Sequence, residues 1–331
     1  MSELYAVTSG DPAGIGPDIS LKIALRDDSH QFVVLGNIEL LRERAEMHAM
    51  DVKFIEFDES ILDSQIQKNT LLVKNFNLSQ SVQPGIMDSL NGSYVLSMID
   101  YAVKGCLDGS FSGCITGPVN KEAIINSGHA FSGHTEYIGD LCNQTPVMSF
   151  VSDQMRIALL TTHLPLKDVP SQITSRRIID VVNIIHSDLK NYFGIKKPKI
   201  GIVGLNPHAG ENGHIGKEEE EVFLPALNAL NESDIDINGP FAADTILLNE
   251  TGHDLIISIF HDQLLPLFKY AKPHLTTNVT MGLNIIRTSV DHGVAFDKVG
   301  MPDINHQSLY HALDTAKSMA NSYEKTKSYK S

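Results

Sequence analysis

Basic residues are in short supply in this 331-residue chain, with 26 lysines and arginines against 40 acidic residues and a formal net charge of −14. That balance leaves no extended basic surface, so neither nucleic acid nor an anionic membrane is an expected partner. A few local cations could still hold one small phosphorylated ligand. Cysteine is nearly as scarce. Cys106, Cys114 and Cys142 show no CxxC spacing, which supports neither a disulfide framework nor a cysteine zinc site. Reduced, partly buried thiols are the expectation. No apolar run approaches the ~20 residues of a membrane span. Met1-Ser2-Glu3-Leu4-Tyr5 has no basic or long apolar character of a signal peptide, so a cytoplasmic location is expected.

Several catalytic signatures are missing too. There is no Gly-x-Ser-x-Gly elbow, because Gly109-Ser110-Phe111-Ser112-Gly113 has phenylalanine at the nucleophile position. Gly14-x-Gly16 lacks the third glycine of a dinucleotide fingerprint, since Ile19 occupies that place. Gly210 and Gly216-Lys217 stand one residue too far apart for a P-loop, and Glu218 follows where Ser or Thr should be. A tight strand-to-helix turn is the plainer reading of Gly10 to Pro17.

What is present is an ordinary globular composition, 42% hydrophobic and 20% charged. Apolar runs at Leu4 to Ser9, Gln31 to Asn37, Val52 to Phe57, Thr70 to Phe76 and Gly113 to Thr116 read as strands. Leu90 to Leu107 and the stretch marked by Ile178, Val181, Val182, Ile185 and Leu189 carry helical spacing. Pro146 to Val151 and Met155 to Thr162 flank Ser152-Asp153-Gln154, as in a β-hairpin. The charge run Glu218 to Glu221 suits the positive end of a helix dipole, and the polar tail from Asn321 is expected to fray. Alternation of strand and helix predicts an α/β fold with a largely parallel sheet.

Three apolar strands finish in histidine. Ile157 to Thr162 ends in His163, Ile200 to Leu205 reaches His208 through Asn206-Pro207, and Leu255 to Phe260 ends in His261. Open α/β sheets bind ligands outside the carboxyl ends of their strands. One such histidine would be a hydrogen-bonded loop residue, but three could converge on a catalytic divalent metal, zinc most familiarly. Cobalt, manganese and nickel suit three nitrogen ligands as well, and magnesium would be unusual there. His30, His48, His186, His253, His306 and His311 lack this setting and are expected at the surface or core edge. His134-Thr135 sits in a glycine-containing turn before a helix, where Thr135 could cap the helix or both residues could meet an anion. Lys272 reads as surface charge. Arg287 follows Leu283 to Ile286, and a guanidinium at a strand end suits phosphate or carboxylate.

Six segments together resemble the 4-hydroxythreonine-4-phosphate dehydrogenase family of vitamin B6 biosynthesis. They are Gly10-Asp11-Pro12-Ala13-Gly14-Ile15-Gly16-Pro17, Ser132-Gly133-His134-Thr135-Glu136, Thr161-Thr162-His163-Leu164-Pro165, Gly204-Leu205-Asn206-Pro207-His208-Ala209-Gly210-Glu211, His261-Asp262-Gln263 and Arg287-Thr288-Ser289-Val290-Asp291-His292-Gly293. Asp18 stands where the family more often has Glu, and Leu264 where Gly is common. The resemblance implies a two-domain α/β/α fold of the isocitrate and isopropylmalate dehydrogenase type. It assigns residues 1–127 with 276–331 to one domain and 128–275 to the other, with the active site in the cleft between them and at the interface of a homodimer. It implies His163, His208 and His261 as metal ligands, and His134, Thr135, Lys269, Asn278 and Arg287 as contacts of a small phosphorylated hydroxy-amino acid. Asp291, His292 and Gly293 resemble a cofactor loop for NAD or NADP, and Asp244 is a candidate for supporting the metal site.

The implied reaction is oxidation of 4-phosphooxy-L-threonine by NAD(P)⁺ to 2-amino-3-oxo-4-phosphooxybutanoate, which decarboxylates to 3-amino-2-oxopropyl phosphate. The rival readings are a paralogous dehydrogenase of a phosphothreonate or phosphoerythronate, a metal-dependent hydrolase, and a non-catalytic binder of phosphorylated ligands.

Overall fold

The computed structural model describes residues 3–58, 66–248, 252–271 and 275–328. Lys272 lies outside them. The strands are β1 Tyr5–Thr8, β2 Phe32–Gly36, β3 Lys53–Glu56, β4 Thr70–Asn75, β5 Gly113–Thr116, β6 Val147–Val151, β7 Arg156–Leu159, β8 Lys199–Val203, β9 Asp236–Phe241, β10 Leu255–Ser258, β11 Thr277–Met281 and β12 Arg287–Ser289. The chain divides into two compact units, Met1–Thr145 with Leu283–Ala320 and Pro146–Gly282 with Asn321–Ser331.

In the first unit the strands run β3-β4-β2-β1-β5-β12, all parallel. β1, β2, β5 and β12 are buried along their whole length, which is why β1 and β2 read as largely apolar runs rather than alternating ones. Helix Gly92–Asp108 covers this sheet with Tyr94, Val95, Met98, Ile99 and Ala102, packed with Leu4, Val33, Leu35 and Cys114 in one core. Helix His134–Cys142 buries Ile138 and Cys142 in that same core. The contact split therefore falls after Thr145, not after residue 127, and places His134 and Thr135 in the first unit.

Gly10 to Pro17 forms the tight turn expected of it. Gly10 takes a φ of 76°, and a Cβ there would collide with the Pro118 carbonyl oxygen. The Ile15 N–H donates to Val294 O at 2.9 Å, with Gly14 packed against Val294. The glycines serve close backbone approach. Asp18 follows the turn, and its carboxylate accepts from Arg44 Nη1 at 3.0 Å and meets His48 Nε2 at 2.6 Å. All three side chains are nearly or wholly buried, so His48 belongs to an interior ionic network rather than to the core edge.

In the second unit the order is β11-β6-β7-β10-β8-β9. β6 and β7 form the expected antiparallel hairpin, closed by Ser152 N–H donating to Met155 O at 2.9 Å. β7, β10, β8 and β9 are parallel. Helix Ser175–Asn191 packs Ile178, Val181, Val182, Ile185 and Leu189 inward. The C-terminal helix runs Gln307–Ser328, so the polar tail does not fray at Asn321. Tyr323 stacks on Tyr192 with ring centroids 5.0 Å apart and holds it.

Asp188, on helix Ser175–Asn191, is buried and accepts the Gly282 N–H at 2.7 Å. Burial pushes its carboxyl pKa up to about 7. The folded state then holds this proton more tightly than the unfolded chain, whose carboxyl titrates near ~3.9. Its contribution to stability is full below that value and is lost as pH rises through about 7. Asp188→Asn keeps an acceptor for Gly282 but has nothing to ionise. In urea denaturation the variant should gain on the wild type between pH 5 and pH 8, by roughly 2–4 kcal/mol. A difference that stays flat over that range would contradict the buried-proton assignment.

Candidate active site

The three strands that end in histidine are neighbours in the sheet, in the order β7-β10-β8. Strands lie about 4.8 Å apart, so adjacency brings three imidazoles to one carboxyl edge. Pairing continues beyond β7 and β10, with Leu160 N–H donating to Ser258 O at 2.8 Å and Thr161 N–H to Ile259 O at 3.1 Å. His163 and His261 leave this edge together, with ring centroids 5.4 Å apart. His261 opens helix His261–Ala271, and its Nδ1 meets Asp262 Oδ1 at 2.6 Å. His208 lies in the turn after β8 with φ 53° and ψ 29°, a left-handed conformation unusual for a non-glycine residue. Its Nδ1 meets Glu211 Oε1 at 2.6 Å, and Glu211 and then Asp244 raise its pKa.

Among the described residues, no group of three or more His, Cys, Asp and Glu is gathered as closely as a metal ion needs. The donor chemistry nevertheless fits one. In His208 and His261 a carboxylate engages Nδ1, the kind of contact that orients a histidine to ligate through Nε2. The His163–His261 pair is in place, and His208 occupies the adjacent strand end.

Gln263 of the His261-Asp262-Gln263 segment and Glu219 of the acidic run, neither given a partner by the sequence, hold this edge. Gln263 Oε1 accepts the Ile259 N–H at 2.8 Å while its Nε2 donates to Gly204 O at 2.8 Å, stapling the end of β10 to the end of β8. Glu219 accepts both the Asn206 N–H and Asn206 Nδ2, each at 2.8 Å, and so ties down the turn that carries His208. It is buried, so one member of the charge run has a specific partner beyond the helix dipole. Lys269 Nζ lies 5.4 Å from the centre of the Phe150 ring, and Asn278 is the cross-strand partner of Phe150. Phe150 thus brings these two expected substrate contacts together. Asp244 is exposed.

The first unit carries the remaining residues. Arg287, only 2% exposed, donates from Nη2 to Thr116 Oγ1 at 2.7 Å. Burial lowers its guanidinium pKa to about 10, with Cys114 and Glu136 opposing the shift. His134 is half-buried with Nε2 sealed from solvent and no hydrogen-bond partner for it. Burial first, and the Arg287 charge second, hold its pKa well below the usual histidine value, so the ring is neutral. Thr135 is buried in the first turn of the helix and does not cap it, because Gly133 is the N-cap residue. Asp291 N–H donates to Ser308 Oγ at 3.0 Å, and His292 Nδ1 lies 2.9 Å from Gly293 O. All three thiols are free, with Cys114 and Cys142 buried.

With this geometry described, comparison with known proteins places the chain. The family profile described as pyridoxal phosphate biosynthetic protein PdxA matches residues 28–316. The 4-hydroxythreonine-4-phosphate dehydrogenase of Pseudomonas syringae pv. tomato is 42% identical over 323 residues, covering 96% of this chain and 98% of that one. The Vibrio cholerae enzyme of the same name is 42% identical, with 94% and 96% covered. The crystal structure of the Klebsiella pneumoniae 4-hydroxythreonine-4-phosphate dehydrogenase superposes with a TM-score of 0.86 at 31% identity, covering 96% of this chain and 99% of that one. The expected α/β fold is the fold of these oxidoreductases. The chain belongs to the PdxA family of pyridoxal phosphate biosynthesis.

Proposed function

We propose that the chain oxidises 4-phosphooxy-L-threonine with NAD⁺ or NADP⁺ to 2-amino-3-oxo-4-phosphooxybutanoate, which loses CO₂ to give 3-amino-2-oxopropyl phosphate. The observation that carries the reading is the placement of His163, His261 and His208 at the ends of three adjacent strands, in a chain whose full-length relatives are dehydrogenases of that name. These histidines would hold one divalent ion through Nε2, zinc above cobalt, manganese, nickel or magnesium, with Asp244 supporting His208. When bound, such an ion supplies Lewis acidity that lowers a hydroxyl pKa and polarises a ketone.

The protein's own side chains do the rest. Asp262 and Glu211 orient the imidazoles, and Gln263 and Glu219 hold the two strand ends in register. Lys269, Asn278 and Arg287 bind the anionic groups of the substrate. Neutral His134 and the Thr135 hydroxyl complete that grip without adding charge. Asp291, His292 and Gly293 contact the nicotinamide cofactor, which accepts the hydride. The working form is a cytoplasmic homodimer with shared active sites. Among the described residues no helix is long and apolar enough to cross a membrane.

The test is NADH or NADPH formation from 4-phosphooxy-L-threonine, followed at 340 nm with and without a chelator. Turnover that the chelator abolishes and added zinc or cobalt restores is the expected result. Turnover indifferent to the chelator would remove the metal from the mechanism, and turnover without NAD(P)⁺ would point to a hydrolase.

A further inference from the structure

One acidic side chain in the first unit has no task in the scheme above. Glu136 is the third residue of helix His134–Cys142, and its Oε2 is sealed from solvent without a hydrogen-bond partner. That oxygen lies 2.9 Å from where a Cβ on Gly133 would stand, so the carboxylate folds back over the start of the helix. It is near enough to the buried Arg287 for its charge to act on the guanidinium. Nε2 of His134 and Nε of Arg287 are likewise buried without a hydrogen-bond partner. A buried carboxylate oxygen with an unused acceptor position is costly unless a donor meets it.

Arg287 offers one positive charge and Glu136 one negative charge in the same cluster. A ligand carrying only anionic groups satisfies the first and is repelled by the second. A zwitterionic amino acid satisfies both. We propose that Glu136 is a specificity-determining residue that receives the α-ammonium group of the substrate. It would thereby select the amino acid over its analogue with a hydroxyl in that position, 2,3-dihydroxy-4-phosphooxybutanoate. The proposal rests on the oxidation reading above and identifies the residue that separates this activity from its nearest rival. The hydroxyl analogue can donate a hydrogen bond to Glu136 but brings no positive charge to it. Both contacts are charge-assisted, because the acceptor is ionised in each, but only the ammonium adds the attraction between two full opposite charges, which a partly desolvated site strengthens.

The experiment compares kcat/KM of the wild type, Glu136→Gln and Glu136→Asp on both compounds. Glutamine keeps the size of the side chain and an acceptor oxygen but removes the charge. The ratio of amino to hydroxyl substrate should fall on the order of tenfold in Glu136→Gln, chiefly through a higher KM for the amino substrate. Glu136→Asp, which keeps the charge, should retain part of the preference. An equal loss on both substrates would show that Glu136 only supports Arg287 or the helix, and an unchanged ratio would equally overturn the proposal. A wild type that forms no NAD(P)H from either compound refutes the oxidation reading instead. Calorimetric titration of the same two compounds into wild type and Glu136→Gln then still decides on Glu136, by whether the Kd ratio shifts.

Discussion

Replacing His261 by alanine is expected to lower kcat/KM on the order of 10³-fold or more while leaving the fold intact. A metal's stabilisation of developing charge is worth several kcal/mol, and ~4 kcal/mol corresponds to about that factor. His261 contributes little to packing, because its side chain is 35% exposed and its partner Asp262 is 80% exposed. Side-chain contacts as open as this one contribute roughly 0–1 kcal/mol even when both groups are charged. Asp262→Asn makes the finer comparison. It leaves the ligating Nε2 in place and weakens only the contact to Nδ1, so the loss should be nearer ten- to a hundredfold. Activity and bound metal, measured by elemental analysis of the purified variants, should fall in parallel. A His261→Ala enzyme that keeps wild-type turnover, or keeps its full metal content while inactive, would remove His261 from the ligand set.

The residues behind that prediction were visible in the sequence because each histidine closes an apolar run, and a buried strand can end in only a few places. Their placement on adjacent strands was not visible. Crossover order leaves no trace in hydrophobic periodicity, and β10 lies between β7 and β8 although it follows both in the chain. The supporting residues were hidden for a related reason. Gln263 reaches Gly204, and Glu219 reaches Asn206, through side-chain contacts to distant backbone that no local pattern announces. The contact split falls after Thr145 rather than near residue 128, a difference no sequence pattern announces because short helices carry no label saying which sheet they pack against. Only the burial of Ile138 and Cys142 beside helix Gly92–Asp108 assigns His134 and Thr135. The alternation of strands and helices, by contrast, follows from the period of the apolar residues and was legible throughout.

Arg287→Ala should raise KM for the phosphorylated substrate strongly and cut kcat/KM by roughly 10²–10³-fold, the scale of losing a buried charge-assisted contact worth 2–5 kcal/mol. Two consequences of the deletion must be told apart. Arg287 is 2% exposed and bonded to Thr116, and its charge opposes that of Glu136. Removing it therefore takes a cation from the neighbourhood of a partly buried carboxylate and breaks the bond to Thr116, so some stability should be lost. A lower melting temperature alone would thus be expected even if Arg287 never touched the substrate. The double variant Arg287→Ala/Glu136→Gln resolves this, because it removes the orphaned charge along with the guanidinium. Stability should return towards the wild-type value, while KM for the phosphorylated substrate should stay high. Arg287→Lys adds the geometric control: it restores a positive charge but not the planar fork that matches phosphate or carboxylate at two points. Its KM should fall between those of the wild type and the alanine variant. If KM recovers with stability in the double variant, Arg287 is a buried structural cation, and the anionic groups of the substrate must be held by Lys269 and Asn278 without it.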